Sequence, residues 1–260
     1  MQRAKQIAID FIPRGIFITA TDSGVGKTIV TSALVACLTQ RGIDVGVMKP
    51  IETGVSRSAK AQSDGDRLRR VARSHDPMAE VCPYVFRLSV APLSAAWAER
   101  KSIRVATIIR AFHALCQKHP LVMVEGVGGL YVPITSSLQL LDLIYRMKLS
   151  AIVVGQSGLG GINQALLTLH ALRQRKIPIV ALVLNQCRPV LTKNARMQEQ
   201  STVTLLRRFA KVPVVGPLAY SPRVNTNWND VLANIAETGP ITKLAKLVLA
   251  AGRGTISQRG

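Results

Sequence analysis

The chain has 260 residues, of which 34 are Lys or Arg and 14 are Asp or Glu, giving a formal net charge of +20; apolar residues make up 48% and aromatics 4%. That is enough aliphatic material for a sizeable core of the kind found where helices cover parallel strands, and the charge favours anionic ligands. No apolar run reaches the roughly 18 residues a bilayer span needs, and Met1–Ile7 lacks the apolar stretch of a secretory signal, so a cytoplasmic protein that does not enter membranes is expected.

In chain order, residues 1–14 read as an N-terminal extension. A β-branched strand over Gly15–Ala20 runs into a glycine-containing turn, and a helix over Lys27–Gln40 follows, stopped by Gly42. A strand is expected at Val45–Lys49. The stretch Glu52–Pro92 is ambiguous, with a helix at Asp64–Ser74, and further helices are expected at Ser89–Arg100 and Val105–Lys118. Strands at Leu121–Glu125, Ala151–Gly155, Ile179–Gln186 and Val212–Pro217 alternate with helices at Gly161–Arg175 and Lys193–Ala210. Asp230–Ala251 reads as two helical pieces broken at Gly239-Pro240, and 252–260 reads as a flexible tail. Short apolar strands alternating with helices imply one α/β domain, 15–251, with a mostly parallel sheet and helices on both faces.

The most informative stretch is Thr21-Asp22-Ser23-Gly24-Val25-Gly26-Lys27-Thr28. Gly26 lets backbone N–H groups curl inward around a phosphate. Lys27 can reach the β- and γ-phosphates, the Thr28 hydroxyl suits Mg²⁺, and the helix adds the positive end of its dipole. Thr21 stands where the standard pattern has its first glycine, yet the strand–turn–helix context is intact. Ligands of open parallel sheets sit beyond the carboxyl ends of strands, which draws attention to Lys49, Glu125, Gly155 and Asn185. Glu125, before Gly126-Val127-Gly128-Gly129, is placed to ligate a magnesium ion beside nucleotide phosphates.

Taken with Lys49-Pro50, Thr53-Gly54, Ser63-Asp64, Ala91-Pro92-Leu93-Ser94, Leu159-Gly160-Gly161-Ile162-Asn163 and Val183-Leu184-Asn185, these segments make the chain resemble the dethiobiotin synthetases from about Gly15 to Pro217. The resemblance implies a P-loop NTPase-like fold and an ATP-dependent ligase of biotin biosynthesis acting on 7,8-diaminopelargonate and CO₂, with Mg²⁺ as cofactor and ATP as co-substrate. It implies that Gly24, Val25, Gly26, Lys27 and Thr28 hold the phosphates and that Asn185 reads adenine. Thr28, Asp64 and Glu125 would bind the metal, with Lys27 and Lys49 as the catalytic cations. Ser23 and Thr53 would bind the reacting end of the substrate. Gly160, Gly161 and Asn163, at a helix N-terminus, would take its distal carboxylate near the interface of a homodimer.

Other readings of the same residues stay open. Asp64 could be a helix N-cap, with Asp66 as a rival ligand. Asn185, Ser23 and Thr53 could be ordinary turn residues. Arg67, Arg69, Arg70 and Arg73 read as one solvated helix face, and no aromatics alternate with them to stack bases, so nucleic-acid binding is not expected. Cys37, Cys82, Cys116 and Cys187 are too far apart to suggest a metal site and read as reduced thiols, and the four histidines read as structural. The alternative function is a partitioning-type ATPase with a deviant phosphate loop, binding DNA or membrane. Such proteins carry an additional early loop lysine, and positions 21–23 here are Thr, Asp and Ser.

Overall fold

In the computed structural model, which describes residues 15–56, 63–222 and 227–251, a single six-stranded sheet forms the centre of the molecule. Its strands are β1 (Gly15–Ala20), β2 (Val45–Met48), β5 (Leu121–Glu125), β6 (Ser150–Gln156), β7 (Ile179–Asn185) and β8 (Val214–Leu218), in the order β2-β5-β1-β6-β7-β8. Every neighbouring pair runs parallel. A separate two-stranded sheet pairs β3 (Ile51–Glu52) with β4 (Tyr84–Val85). The extension and tail expected at 1–14 and 252–260 lie outside the described residues.

Alternation along each strand divides the core into two layers. Phe17, Val122, Val124 and Val153 face one side. That side also takes α4 (Pro92–Ala98), α5 (Val105–Lys118), α6 (Leu140–Met147), α7 (Gly161–Gln174) and α8 (Lys193–Phe209). Ile16, Ile18, Met123, Ile152 and Val154 face the other. There they meet α1 (Lys27–Gln40), α2 (Asp64–Val71), α3 (Met78–Val81), α9 (Trp228–Ala236) and α10 (Gly239–Ala251). β1 lies between β5 and β6, so the connections leave it in both directions, and the crevice beyond its C-terminal end is where ligands of such sheets bind.

The expected elements appear with shifted ends, for local reasons. The Val45 strand stops at Met48 because Pro50 has no N–H to donate and the N–H of Lys49 turns to Val81 O at 2.7 Å. The helix expected from Ser89 begins at Pro92, whose fixed φ suits the first helical position while the residue before it is pushed to extended backbone. The helix expected to reach Ser74 ends at Val71, and Arg73 turns left-handed at φ 54°. The two C-terminal helical pieces appear as expected, with the break at Glu237-Thr238 and Gly239-Pro240 opening the second of them, α10. The ambiguous stretch, expected to carry loops and short helices, holds the short helix α3, but the two short strands β3 and β4 were not anticipated. Neither was α6, although a capping box between Gln139 and Asp142 starts it.

At the opposite end of the sheet from the crevice, a polar cluster ties the β2 entry to α5. Asp76 accepts hydrogen bonds from Ser74 Oγ at 2.5 Å and Lys118 Nζ at 3.2 Å. The His119 ring nitrogens lie 2.9 Å from Asp44 Oδ1 and 2.8 Å from Asp76 Oδ2. Burial alone would raise the Asp76 carboxyl, but hydrogen bonds from Ser74, His119 and Lys118 outweigh it and hold the carboxyl below the usual aspartate range. A carboxyl depressed on folding contributes stability that is present above its unfolded value of about 3.9 and is lost as the pH falls through the folded value. Asp76→Ala is therefore expected to cost about 2 kcal/mol in urea unfolding at pH 7 and to flatten the loss of wild-type stability below about pH 4.

Candidate active site at the strand tips

The turn after β1 has the geometry its sequence implied. Gly24 and Gly26 adopt φ of 72° and 97°, where a side chain would be strained. A Cβ on Gly26 would also fall 2.3 Å from the Asn185 amide nitrogen. That amide donates to Val25 O at 3.0 Å, so Asn185, at the tip of β7, pins the turn from behind. Val25 is buried, and Gly26 leads directly into α1.

Lys27 is buried, and its ammonium donates to Gly128 O at 3.0 Å and Asp22 O at 3.3 Å. Burial, assisted by the nearby Lys49 cation, lowers its pKa to about 8 against the pull of Glu125, Asp64 and Asp22. Lys49 stands beyond the end of β2, 4% exposed, and donates to Glu125 Oε1 at 2.6 Å, to Asp64 Oδ2 at 2.9 Å and to Gly126 O at 3.3 Å. Burial alone would lower it too. The two carboxylates outweigh that and hold the ammonium above the usual lysine range. Asp64, likewise opposed by burial, is held below the usual aspartate range by Lys49.

Thr28 Oγ1 donates to Glu125 Oε1 at 2.8 Å. Glu125 is 0% exposed, and its second oxygen, Oε2, is buried with no hydrogen-bond partner among the described residues. A buried carboxylate oxygen left over beside a hydroxyl and a second carboxylate is a donor set for a hard divalent cation. Among the described residues no three His, Cys, Asp or Glu side chains gather to hold a metal by themselves. Mg²⁺ bound with a nucleotide needs only one or two carboxylates, because phosphates and water complete its shell. Residues Thr28, Asp64 and Glu125 therefore fit the ion.

The α2 N-cap is Ser63, whose hydroxyl accepts from Asp66 N, so Asp64 is free to face Lys49. Asp66 instead pairs outward with Arg69 and Arg70. Ser23, Gly24, Gly26, Lys27, Thr28, Lys49, Thr53 and Asp64 line one cleft of about 410 Å³. Ser89, Arg67 and Trp228 line it as well, and none of the three was singled out as a site residue. The Arg67 guanidinium lies 4.8 Å from the Trp228 ring centroid, and Trp228 Nε1 is buried without a partner among the described residues. Arg67 is thus no part of a wholly solvated helix face. The pairing joins α2 to α9, more than 150 positions further along, and no local pattern announces it. Gly160, Gly161 and Asn163 do not line this cleft. They form the start of α7, where Gly160 takes φ 87° and Asn163 is exposed.

Residues 14–227 match a family model described as an AAA domain. The ATP-dependent dethiobiotin synthetase BioD of Anaeromyxobacter dehalogenans is 42% identical over 176 residues, covering 68% of this chain and 78% of that one. The chain belongs to the dethiobiotin synthetase family. The BioD of Thermodesulfovibrio yellowstonii is 37% identical over 220 residues (81% of this chain, 90% of the relative), and that of Bacillus velezensis is 32% identical over 203 (78% and 85%). A ParA family ATPase from Chlorobium tepidum shares 13% identity at a TM-score of 0.48, over 93% of this chain and 100% of that one, which is too distant to carry the partitioning alternative. No helix among the described residues is long and apolar enough to cross a membrane. Around the turn, Asn185 spends its amide on the Val25 carbonyl, and Arg67 and Trp228 line the cleft.

Proposed function

We propose that the chain performs the Mg-ATP-dependent carboxylation and ureido ring closure of 7,8-diaminopelargonate with CO₂, forming dethiobiotin, ADP and phosphate. It is an ATP-dependent ligase that makes carbon–nitrogen bonds. The observation that carries the reading is the meeting of the Lys49 ammonium with Glu125 and Asp64, in the cleft shared with Lys27 and Thr28, in a chain 42% identical to a dethiobiotin synthetase.

One amine adds to CO₂ and loses a proton, giving a carbamate. A carbamate oxygen attacks the γ-phosphorus of ATP and ADP leaves. The second amine then attacks the carbamate carbon, phosphate departs, and the ring closes with loss of a further proton. Thr28, Asp64 and Glu125 would hold a magnesium ion, which neutralises phosphate oxygens when bound. Lys27 and the N–H groups of the turn from Gly24 to Thr28 grip the triphosphate. Lys49 steadies the carbamate and the phosphoryl group in transfer. Ser23 and Thr53 hydrogen-bond the reacting amines and fix their approach. With its amide nitrogen occupied, Asn185 offers adenine its carbonyl oxygen.

We assign the distal carboxylate to the N-terminus of α7, with Gly160, Gly161 and Asn163, near the interface of a homodimer. Leu159, Leu167, Leu191 and Met197 are 76%, 61%, 76% and 59% exposed on and beside α7 and α8, an apolar surface suited to a second copy. The decisive experiment follows ADP release with diaminopelargonate, bicarbonate and Mg-ATP, and identifies dethiobiotin by mass. ADP release indifferent to diaminopelargonate and bicarbonate overturns the reading.

The cleft rim offers its own check. With Trp97 replaced by Phe, Trp228 is the sole tryptophan. Its fluorescence is expected to change on addition of Mg-ATP, and Arg67→Ala to weaken nucleotide binding about tenfold, in line with losing a charge-assisted contact of about 1.5 kcal/mol.

A further inference from the structure

Glu52 closes β3, three residues beyond Lys49, and no step above uses it. Its carboxylate is buried, with the residue 6% exposed, and both oxygens are spent on the first turn of α2. Oε1 accepts from Asp64 N at 2.6 Å and Oε2 from Gly65 N at 3.1 Å. Ser63 takes the next N–H, that of Asp66, at 3.2 Å. The backbone of Glu52 is itself fixed, since its carbonyl accepts from Phe86 N at 2.9 Å beside the β3–β4 pair. The neighbourhood has little slack: a Cβ on Gly65 would come within 3.0 Å of Cys82 Cβ and 3.5 Å of Glu52 Oε2.

A buried carboxylate is a costly way to satisfy two helix N–H groups that water or a hydroxyl could serve. What it adds is rigidity. A charged acceptor gripping two consecutive N–H groups fixes the helix start in both position and direction, and the helix dipole strengthens the grip. Asp64 is the first residue of that turn. Thr53 is the residue directly after Glu52.

We propose that Glu52 is a positioning residue of the metal site. By clamping the first turn of α2 it sets where the Asp64 carboxylate stands relative to Glu125 and Lys49, and it ties that carboxylate to the segment carrying Thr53. The inference rests on the reading of Asp64 as a metal ligand.

The test uses the full chain as wild type, Glu52→Ala, Glu52→Gln and Asp64→Ala. Half-saturating Mn²⁺ is measured by electron paramagnetic resonance with ADP present, and ADP affinity is measured separately in EDTA. Asp64→Ala and Glu52→Ala are both expected to raise half-saturating Mn²⁺ about tenfold or more, the usual effect of losing a ligand's support, with metal-free ADP affinity within about twofold of wild type. Glu52→Gln keeps one acceptor oxygen and is expected to fall between. A wild-type metal response in Glu52→Ala beside an impaired Asp64→Ala overturns the positioning role and leaves the metal reading standing. A wild-type response in Asp64→Ala overturns the metal reading itself. Parallel loss of metal-free ADP affinity in Glu52→Ala overturns the proposal in favour of general structural support. Should Glu52→Ala fail to fold, a wild-type metal response in Glu52→Gln overturns the proposal.

Discussion

Lys49→Met is expected to lower kcat by about 10²–10³-fold while nucleotide affinity changes little, because the contact it removes strengthens as charge moves onto the transferring phosphoryl group. The variant carries a second signature. In the wild type the buried ammonium neutralises Glu125 at 2.6 Å and Asp64 at 2.9 Å. Removing it leaves the buried Glu125 carboxylate uncompensated beside the partly exposed Asp64, at a cost of about 3 kcal/mol. A divalent cation can take over that neutralisation. Thermal melts of Lys49→Met should therefore show a lowered Tm that Mg²⁺ raises more than it raises the wild type. Steady-state kinetics and melts with and without Mg²⁺ check the two halves independently. Wild-type kcat in the variant refutes the assigned role, and a melt indifferent to Mg²⁺ argues against the metal reading of Glu125 and Asp64.

Lys27→Ala is expected to remove measurable turnover, lowering kcat about 10³-fold, and to weaken ATP binding about 100-fold as well. The difference from Lys49 follows from where each cation stands. Lys27 opens α1 and lines the cleft, so on the proposed reading it would meet the triphosphate in the ground state as well as during transfer. Among the described residues its ammonium is held by the carbonyl oxygens of Asp22 and Gly128, and burial leaves it near pKa 8. It thus stands under-compensated beside Lys49, and an incoming polyanion gains the most by satisfying it. Calorimetric titration with a non-hydrolysable ATP analogue separates the two lysines. The Lys27 variant is expected to lose affinity and the Lys49 variant to keep it. Equal affinities in wild type and Lys27→Ala would remove this lysine from the phosphate site.

The two variants also show why the identity of the cations could be read early and their environment could not. Gly26-Lys27-Thr28 is a local device: strand, turn and helix follow within a few residues, so the pattern carries its own geometry. Lys49 and Glu125 were legible as strand-end residues because apolar runs mark where strands stop. That they touch is another matter, since they are 76 positions apart and Thr28 and Glu125 are 97 apart. The contact exists because β2 lies next to β5 and β5 next to β1 in register, bringing three tips to one edge. The sequence left open whether Asp64 is the helix cap and which of Asp64 and Asp66 faces the site; the structure makes Ser63 the cap, turns Asp64 to Lys49 and pairs Asp66 with Arg69 and Arg70. Arg67 was misread as a solvated charge for the same reason: its partner, Trp228, lies on a helix at the far end of the chain.

The amino-acid order by itself determined the alternating strand and helix architecture, the phosphate turn and the resemblance to the dethiobiotin synthetases. Each of these depends on periodicity, turn chemistry or motif spacing over short spans. The tertiary structure alone decided that Lys49 stands between two carboxylates, that Asn185 braces the turn through Val25, that Glu52 grips the start of α2 and that Arg67 and Trp228 close the rim. These are meetings of distant segments, created by the lateral order of parallel strands and the packing of helices over them, and hydrophobic patterning says which face is buried without saying which neighbours will share it.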